Sequence, residues 1–212
     1  MMAGNRRSIY NSIFIVPVLA IAGLLSSIFM LPFWFPLTNG NQNKFLFPSL
    51  ESLLLGATIS AVLWGFGYVK KWTKSIGVIA NVVAAHWIEQ LLDRSLPQQT
   101  LPCWDCPSTS LFVSEVAIRF FIVSSIVFVV VLNLVEPRPK LPLVLLSFLG
   151  SAMLGSLVIG ICDAWALREH MQLVLNGEQP GILWQITMAT FLGVAVWTAG
   201  FLSPPSYADS TP

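Results

Sequence analysis

Apolar residues in this chain come in long runs, without the three- and four-residue steps of an amphipathic helix or the alternation of a half-buried strand. A run of about 20 apolar residues matches the hydrocarbon thickness of a bilayer and predicts a membrane-spanning helix. Six segments fit, at about 9–35, 52–69, 75–92, 111–135, 141–162 and 182–202. The expected fold class is therefore all-α: a polytopic integral membrane helical bundle, one domain over 1–202. A flexible tail rich in Pro and Ser follows at 203–212.

The polar punctuation sharpens these bounds. Pro17 predicts a kink in the first segment, and Phe33, Trp34 and Phe35 mark its interfacial end. Asn39-Gly40 breaks the chain into a turn. Ser49 is expected to cap the second segment, with Glu51 beside the positive end of its dipole. Lys70, Lys71 and Lys74 close that segment. The third segment is the weakest, because Asn81 and His86 interrupt its apolar part. A run this short also suits a buried or re-entrant helix, so five spans are the alternative. After the fifth segment, 163–176 turns amphipathic. Ala164, Leu167, Met171 and Val174 share one face, with Arg168, Glu169 and Gln172 opposite, which predicts a short interfacial helix.

Composition agrees with the pattern. Hydrophobic residues make up 55% of the chain and charged residues 10%, against roughly 25% charged in soluble domains. A net charge of +1 gives no electrostatic case for nucleic acid, so the expected surroundings are the lipid bilayer. With six spans and a cytoplasmic N-terminus, the inner side holds Arg6, Arg7, Lys70, Lys71, Lys74, Arg138 and Lys140. The outer side holds Lys44, Arg94 and Arg168, which obeys the positive-inside rule. Five spans give the same seven-to-three division. Six are preferred because His86 and Glu89 then fall near one end of a span, where polar groups cost less.

That arrangement gathers ionisable residues on the extracytoplasmic side. His86 and Glu89 are three apart and Glu115 and Arg119 four apart, so each pair shares a helix face. Such a cluster suits a proton relay or a polar-ligand site, with His86 titrating near neutrality. It also suits a purely structural set of paired charges, the reading the sequence favours. Cys103-Trp-Asp-Cys106 offers a loop disulfide, a catalytic thiol pair or half a metal site. In that tetrapeptide the chain resembles membrane thiol oxidoreductases of the disulfide-bond-forming and vitamin K epoxide reductase types. The resemblance implies redox-active Cys103 and Cys106. Those families use two cysteine pairs, and here only Cys162 remains. No spacing marks a metal centre, and His86 and His170 have only their shared side to suggest axial haem ligation, so the cofactor stays unknown.

Ser147, Ser151 and Gly155 recur at four-residue steps. Small residues at that spacing serve either a homo-oligomer or partner face or, the preferred reading, packing inside the bundle. Two functions follow from these residues. The first is a non-enzymatic multi-pass membrane protein, either an accessory or structural subunit of a membrane complex or a small transporter-like protein; the sparse, one-sided polar set favours the subunit, since a transporter usually places ionisable groups near the midplane. The alternative is a thiol-disulfide oxidoreductase using Cys103 and Cys106. No motif specifies a substrate, a partner or a source membrane.

Overall fold

The computed structural model describes residues 13–38, 46–95, 109–136, 141–168 and 182–202. They form six helices: α1 (Ile15–Thr38), α2 (Leu46–Gly65), α3 (Trp72–Ser95), α4 (Thr109–Leu134), α5 (Leu141–Arg168) and α6 (Ile182–Leu202). Each packs against its neighbours in sequence, and α6 closes the ring on α1 while also touching α4. Four helices carry windows long and apolar enough to cross a membrane: Trp72–Leu92, Val116–Leu134, Leu141–Cys162 and Ile182–Gly200. The weakest predicted segment, now α3, is among them. Shorter apolar stretches occupy Ile15–Phe29 and Ser49–Gly65.

Close contacts fix the register. In α2 and α3, a Cβ on Gly56 would lie 3.0 Å from Ile79 Cα, and Ser60 Oγ donates to Ser75 O at 3.4 Å. In α3 and α4, Asn81 Nδ2 donates to Val127 O at 3.2 Å, and Gly77 abuts Leu134. In α1 and α6, Gly23 faces Gln185 and Ala189 while Gly193 faces Val16. Falling numbers meet rising ones in all three pairs, so each is antiparallel. The α1–α6 approach requires glycine: a Cβ at Gly23 would sit 2.7 Å from the Gln185 carbonyl oxygen.

The interior is apolar, with Leu19, Ile59, Phe120, Phe128, Leu132 and Leu192 fully buried. Phe120 meets Trp184 edge to face at 4.9 Å and 75°, a favoured aromatic geometry. The outside is apolar too: Leu145, Leu146, Leu149, Met153, Leu157 and Ile161 of α5 are exposed. A helix apolar on both faces suits hydrocarbon on one side and protein on the other, which is why amphipathic periodicity is missing.

Several boundaries differ from the sequence expectation. The helical ladder is interrupted at Phe14, between helical Ile13 and Ile15. This is where the Pro17 ring crowds the carbonyl four residues earlier. Helix α2 starts at Leu46 rather than at a Ser49 cap, because Pro48 falls in its first turn, where its missing N–H costs nothing. Its end comes at Gly65, short of the expected 69. Gly67 adopts φ 76°, and Tyr68 and Val69 N–H donate back to Leu63 O. That left-handed cap favours glycine. Helix α5 runs on to Arg168, so the first part of the expected interfacial helix continues the fifth segment. Residues 169–176 and the tail 203–212 lie outside the described residues.

The face of Ser147, Ser151 and Gly155 turns into the bundle. Ser147 and Ser151 are buried, and a Cβ on Gly155 would lie 2.7 Å from Phe120 Cε1 and 3.2 Å from Phe191. The small residues serve helix contacts within the chain.

Candidate functional site

Because α2 begins at Leu46, Glu51 lies five residues into the helix, about 7.5 Å along its axis. It is a buried side chain rather than a dipole partner at a helix end. Its donor comes from α6: Gln185 Nε2 donates to Glu51 Oε1. The same amide's Oε1 accepts from α1, with Ser26 Oγ at 2.7 Å and Ser27 Oγ at 2.8 Å. Both hydroxyls also lie near Gly23 O, at 2.8 and 3.1 Å. The close passage of α1 over α6 at Gly23 thus brings both serines onto Gln185.

From α3, His86 and Glu89 join this level. His86 Nδ1 lies 3.3 Å from Glu89 Oε2, and both residues are buried. The pairing of Gly56 with Ile79 and of Ser60 with Ser75 puts Glu51 level with Ala84, within one helical turn of His86. Glu51 Oε2 and His86 Nε2 are buried with no hydrogen-bond partner among the described residues, as are the hydroxyls of Ser75, Ser125 and Ser147 elsewhere in the bundle; in this layer the bare atoms belong to ionisable groups. Bare buried polar atoms are uncommon and call for an explanation. The register of Gly77 with Leu134 and Asn81 with Val127 puts Arg119 of α4 level with Glu89. Arg119 is half-buried, and its Nε is hidden from the surface.

Four helices therefore supply polar side chains to one buried layer, with Arg119 of α4 at the same level. Of the residues picked out in the sequence, His86 and Glu89 meet directly and Arg119 shares their level. The side chain of Glu115 and the residues Cys103, Cys106 and His170 lie outside the described residues. Cys162 is half-buried on α5, without a disulfide partner among the described residues. Nor do three His, Cys, Asp or Glu converge as metal ligands among them. Sequence reasoning missed Glu51, Gln185, Ser26 and Ser27. Pro48 is the signal that would have moved the α2 start back and placed Glu51 inside the helix.

The opposite end of the bundle holds a different constellation. Glu136, just past α4, accepts from Lys74 Nζ at 2.6 Å, and Lys70 Nζ stands 4.0 Å away. The Lys74 hydrogen bond, with the charges of Lys74, Lys70 and Lys71, holds the Glu136 carboxyl below its ordinary value of 4.5 despite some loss of hydration. The Glu136 N–H donates to Tyr68 O at 2.7 Å, tying the α2–α3 loop to the end of α4.

Together these features define an all-helical integral membrane protein of the multi-pass class, with a buried polar layer near one end. Compared with known proteins, the chain matches no family model, no curated protein and no solved structure.

Proposed function

We propose that the chain is a non-enzymatic, multi-pass membrane protein of the transporter-like kind, built around the Glu51–Gln185–His86–Glu89 layer. In this reading all six helices cross the bilayer, the N-terminus is cytoplasmic and the layer lies on the extracytoplasmic side. The seven-to-three distribution of Lys and Arg supports that orientation. The observation that carries the reading is the pair of bare buried atoms, Glu51 Oε2 and His86 Nε2. A layer serving only to hold helices together gains by satisfying every polar atom. Ionisable groups inside a membrane bundle mark ligand or ion pathways by default. An accessory subunit, the other non-enzymatic reading, needs no such unfilled capacity.

A flux measurement tests this. The chain is reconstituted alone in liposomes loaded with radiolabelled small cations and zwitterions, and efflux is compared with that from protein-free vesicles. The expected result is efflux of at least one solute, abolished by Glu51→Gln. A chain that passes none of them, and leaves its own membranes only with a partner polypeptide, is an accessory subunit.

A further inference from the structure

We infer that Glu51, Gln185, Ser26 and Ser27 form a proton-driven latch: when Glu51 takes up a proton the Gln185 amide turns over, and α1, α2 and α6 stay hydrogen-bonded in both states. This goes beyond the transporter-like reading and holds whether or not the chain passes a solute.

Hydrogens are scarce around the two serines. Ser26 Oγ lies 2.7 Å from Gln185 Oε1 and 2.8 Å from Gly23 O. Ser27 Oγ lies 2.8 Å and 3.1 Å from the same two atoms. Each hydroxyl carries one hydrogen. With the amide oxygen toward the serines, two hydrogens serve four contacts. With the amide turned over, Nε2 brings two more, one for each serine, and the hydroxyls donate to Gly23 O. Every contact then has a hydrogen. An amide's oxygen and nitrogen are alike in size, so half a turn exchanges them in place and the serines need not move.

At the other side of the amide, Glu51 decides which orientation is allowed. A carboxylate only accepts, so it needs Nε2, the arrangement in the structure. A turned amide presents Oε1 to Glu51 instead, and two oxygens without a hydrogen repel. One proton from water, bonded to Glu51 Oε1, makes that oxygen a donor to Gln185 Oε1 and removes the negative charge. Return of the proton to water reverses both changes. The protonated state also relieves a cost visible in the charged one. Glu51 is 7% exposed, and its Oε2 has no hydrogen-bond partner among the described residues. A bare oxygen costs less on a neutral acid than on a carboxylate. Gln185 is buried as well, so its amide depends on these protein partners in either orientation.

The neighbouring helices set the pH at which the latch turns. Neither α1 nor α6 carries an ionisable residue. From α3 come His86 and Glu89, 3.3 Å apart, with Asp93 and Arg94 further along and Lys74 at the far end on Glu136. Helix α4, packed on α3 and α6, carries Glu115 and Arg119. The hydrogen count at the serines involves none of these.

Nuclear magnetic resonance of the full chain in lipid nanodiscs, with isotope-labelled glutamine side chains, tests this. Cross-relaxation from the Gln185 amide protons should run to Glu51 in alkali and to Ser26 and Ser27 in acid, exchanging in one transition. Glu51→Gln, whose own amide donates to Gln185 Oε1 at any pH, should hold the acid arrangement throughout. A wild-type amide that keeps one orientation from acid to alkali overturns the inference, and that measurement needs no variant to fold. A transition that persists in Glu51→Gln overturns it equally.

Discussion

Two carboxylates at opposite ends of this bundle are managed in opposite ways. Glu136 sits beyond the end of α4, where a lysine hydrogen-bonds it and two more lysines stand by in the α2–α3 loop. Glu51 sits inside, where a neutral amide takes one oxygen and the other is bare among the described residues. At the end that holds Glu136, the Lys74 ammonium reaches a carboxylate that keeps part of its exposure, and two further cations offset the hydration lost, so the pair forms at modest net gain. In the interior hydration is gone, and each remaining hydrogen bond carries more weight. The contrast separates a fastening at the rim from a layer with unused capacity.

The largest expected effect comes from removing the only donor shown on Glu51. Gln185→Leu deprives the carboxyl of its hydrogen bond and leaves the Ser26 and Ser27 hydroxyls only the Gly23 carbonyl. The expected loss is about 2–3 kcal/mol, the cost of stranding a buried charged group. Thermal unfolding in detergent measures it. Adding Glu51→Leu should recover much of the loss, because the stranded group is then gone. A double variant no more stable than Gln185→Leu alone would mean that the amide acts through the serines.

A smaller effect is expected at the α1–α6 crossing that positions the serines. Gly23→Ala places a methyl group against the Gln185 carbonyl oxygen, a backbone atom that cannot swing away. Separating the helices should cost about 1–3 kcal/mol. Gly150→Ala is the control, since a Cβ there meets nothing within 4 Å. Removing a helical glycine in open space should be neutral or favourable by up to about 1 kcal/mol. Equal losses at the two positions would show that the close approach at Gly23 is not what holds the layer.

The same contrast explains what the sequence disclosed. Apolar runs located the six helices, with several ends off by up to six residues, because an apolar run can be read without knowing a helix's partners. His86, Glu89 and Arg119 stood out because charge inside an apolar run is conspicuous. Glu51 did not, because a glutamate near the start of a run looks like a dipole partner at a helix end. Ser26 and Ser27 are small residues ordinary in membrane helices, and Gln185 is uncharged, so nothing flagged them. Their convergence depends on which face of each helix turns inward. Helices apolar on both faces leave no periodicity from which to read that. The small-residue stripe of α5 showed only that something packs closely there. The identity of that neighbour, Phe120 and Phe191 of the same chain, required the fold.

The smallest expected effect lies at the rim and depends on pH. Glu136 titrates below its ordinary value of 4.5, chiefly through the Lys74 hydrogen bond. A carboxyl depressed in the folded state stabilises it fully above the unfolded value and loses that contribution as pH falls through the folded value. Stability from this pair is therefore constant at neutral pH and declines only in acid below the ordinary carboxylate range. Lys74→Met removes the main cause of the depression. At neutral pH wild type should melt slightly above the variant. In acid, wild type should lose an advantage that the variant never had, so the two curves converge. The loop should stay in place in both, because the Glu136 N–H still donates to the Tyr68 carbonyl. If Lys74→Met instead destabilises the protein at neutral pH as much as Gln185→Leu, the rim pair is no mere fastening. The distinction between the two ends of the bundle then fails.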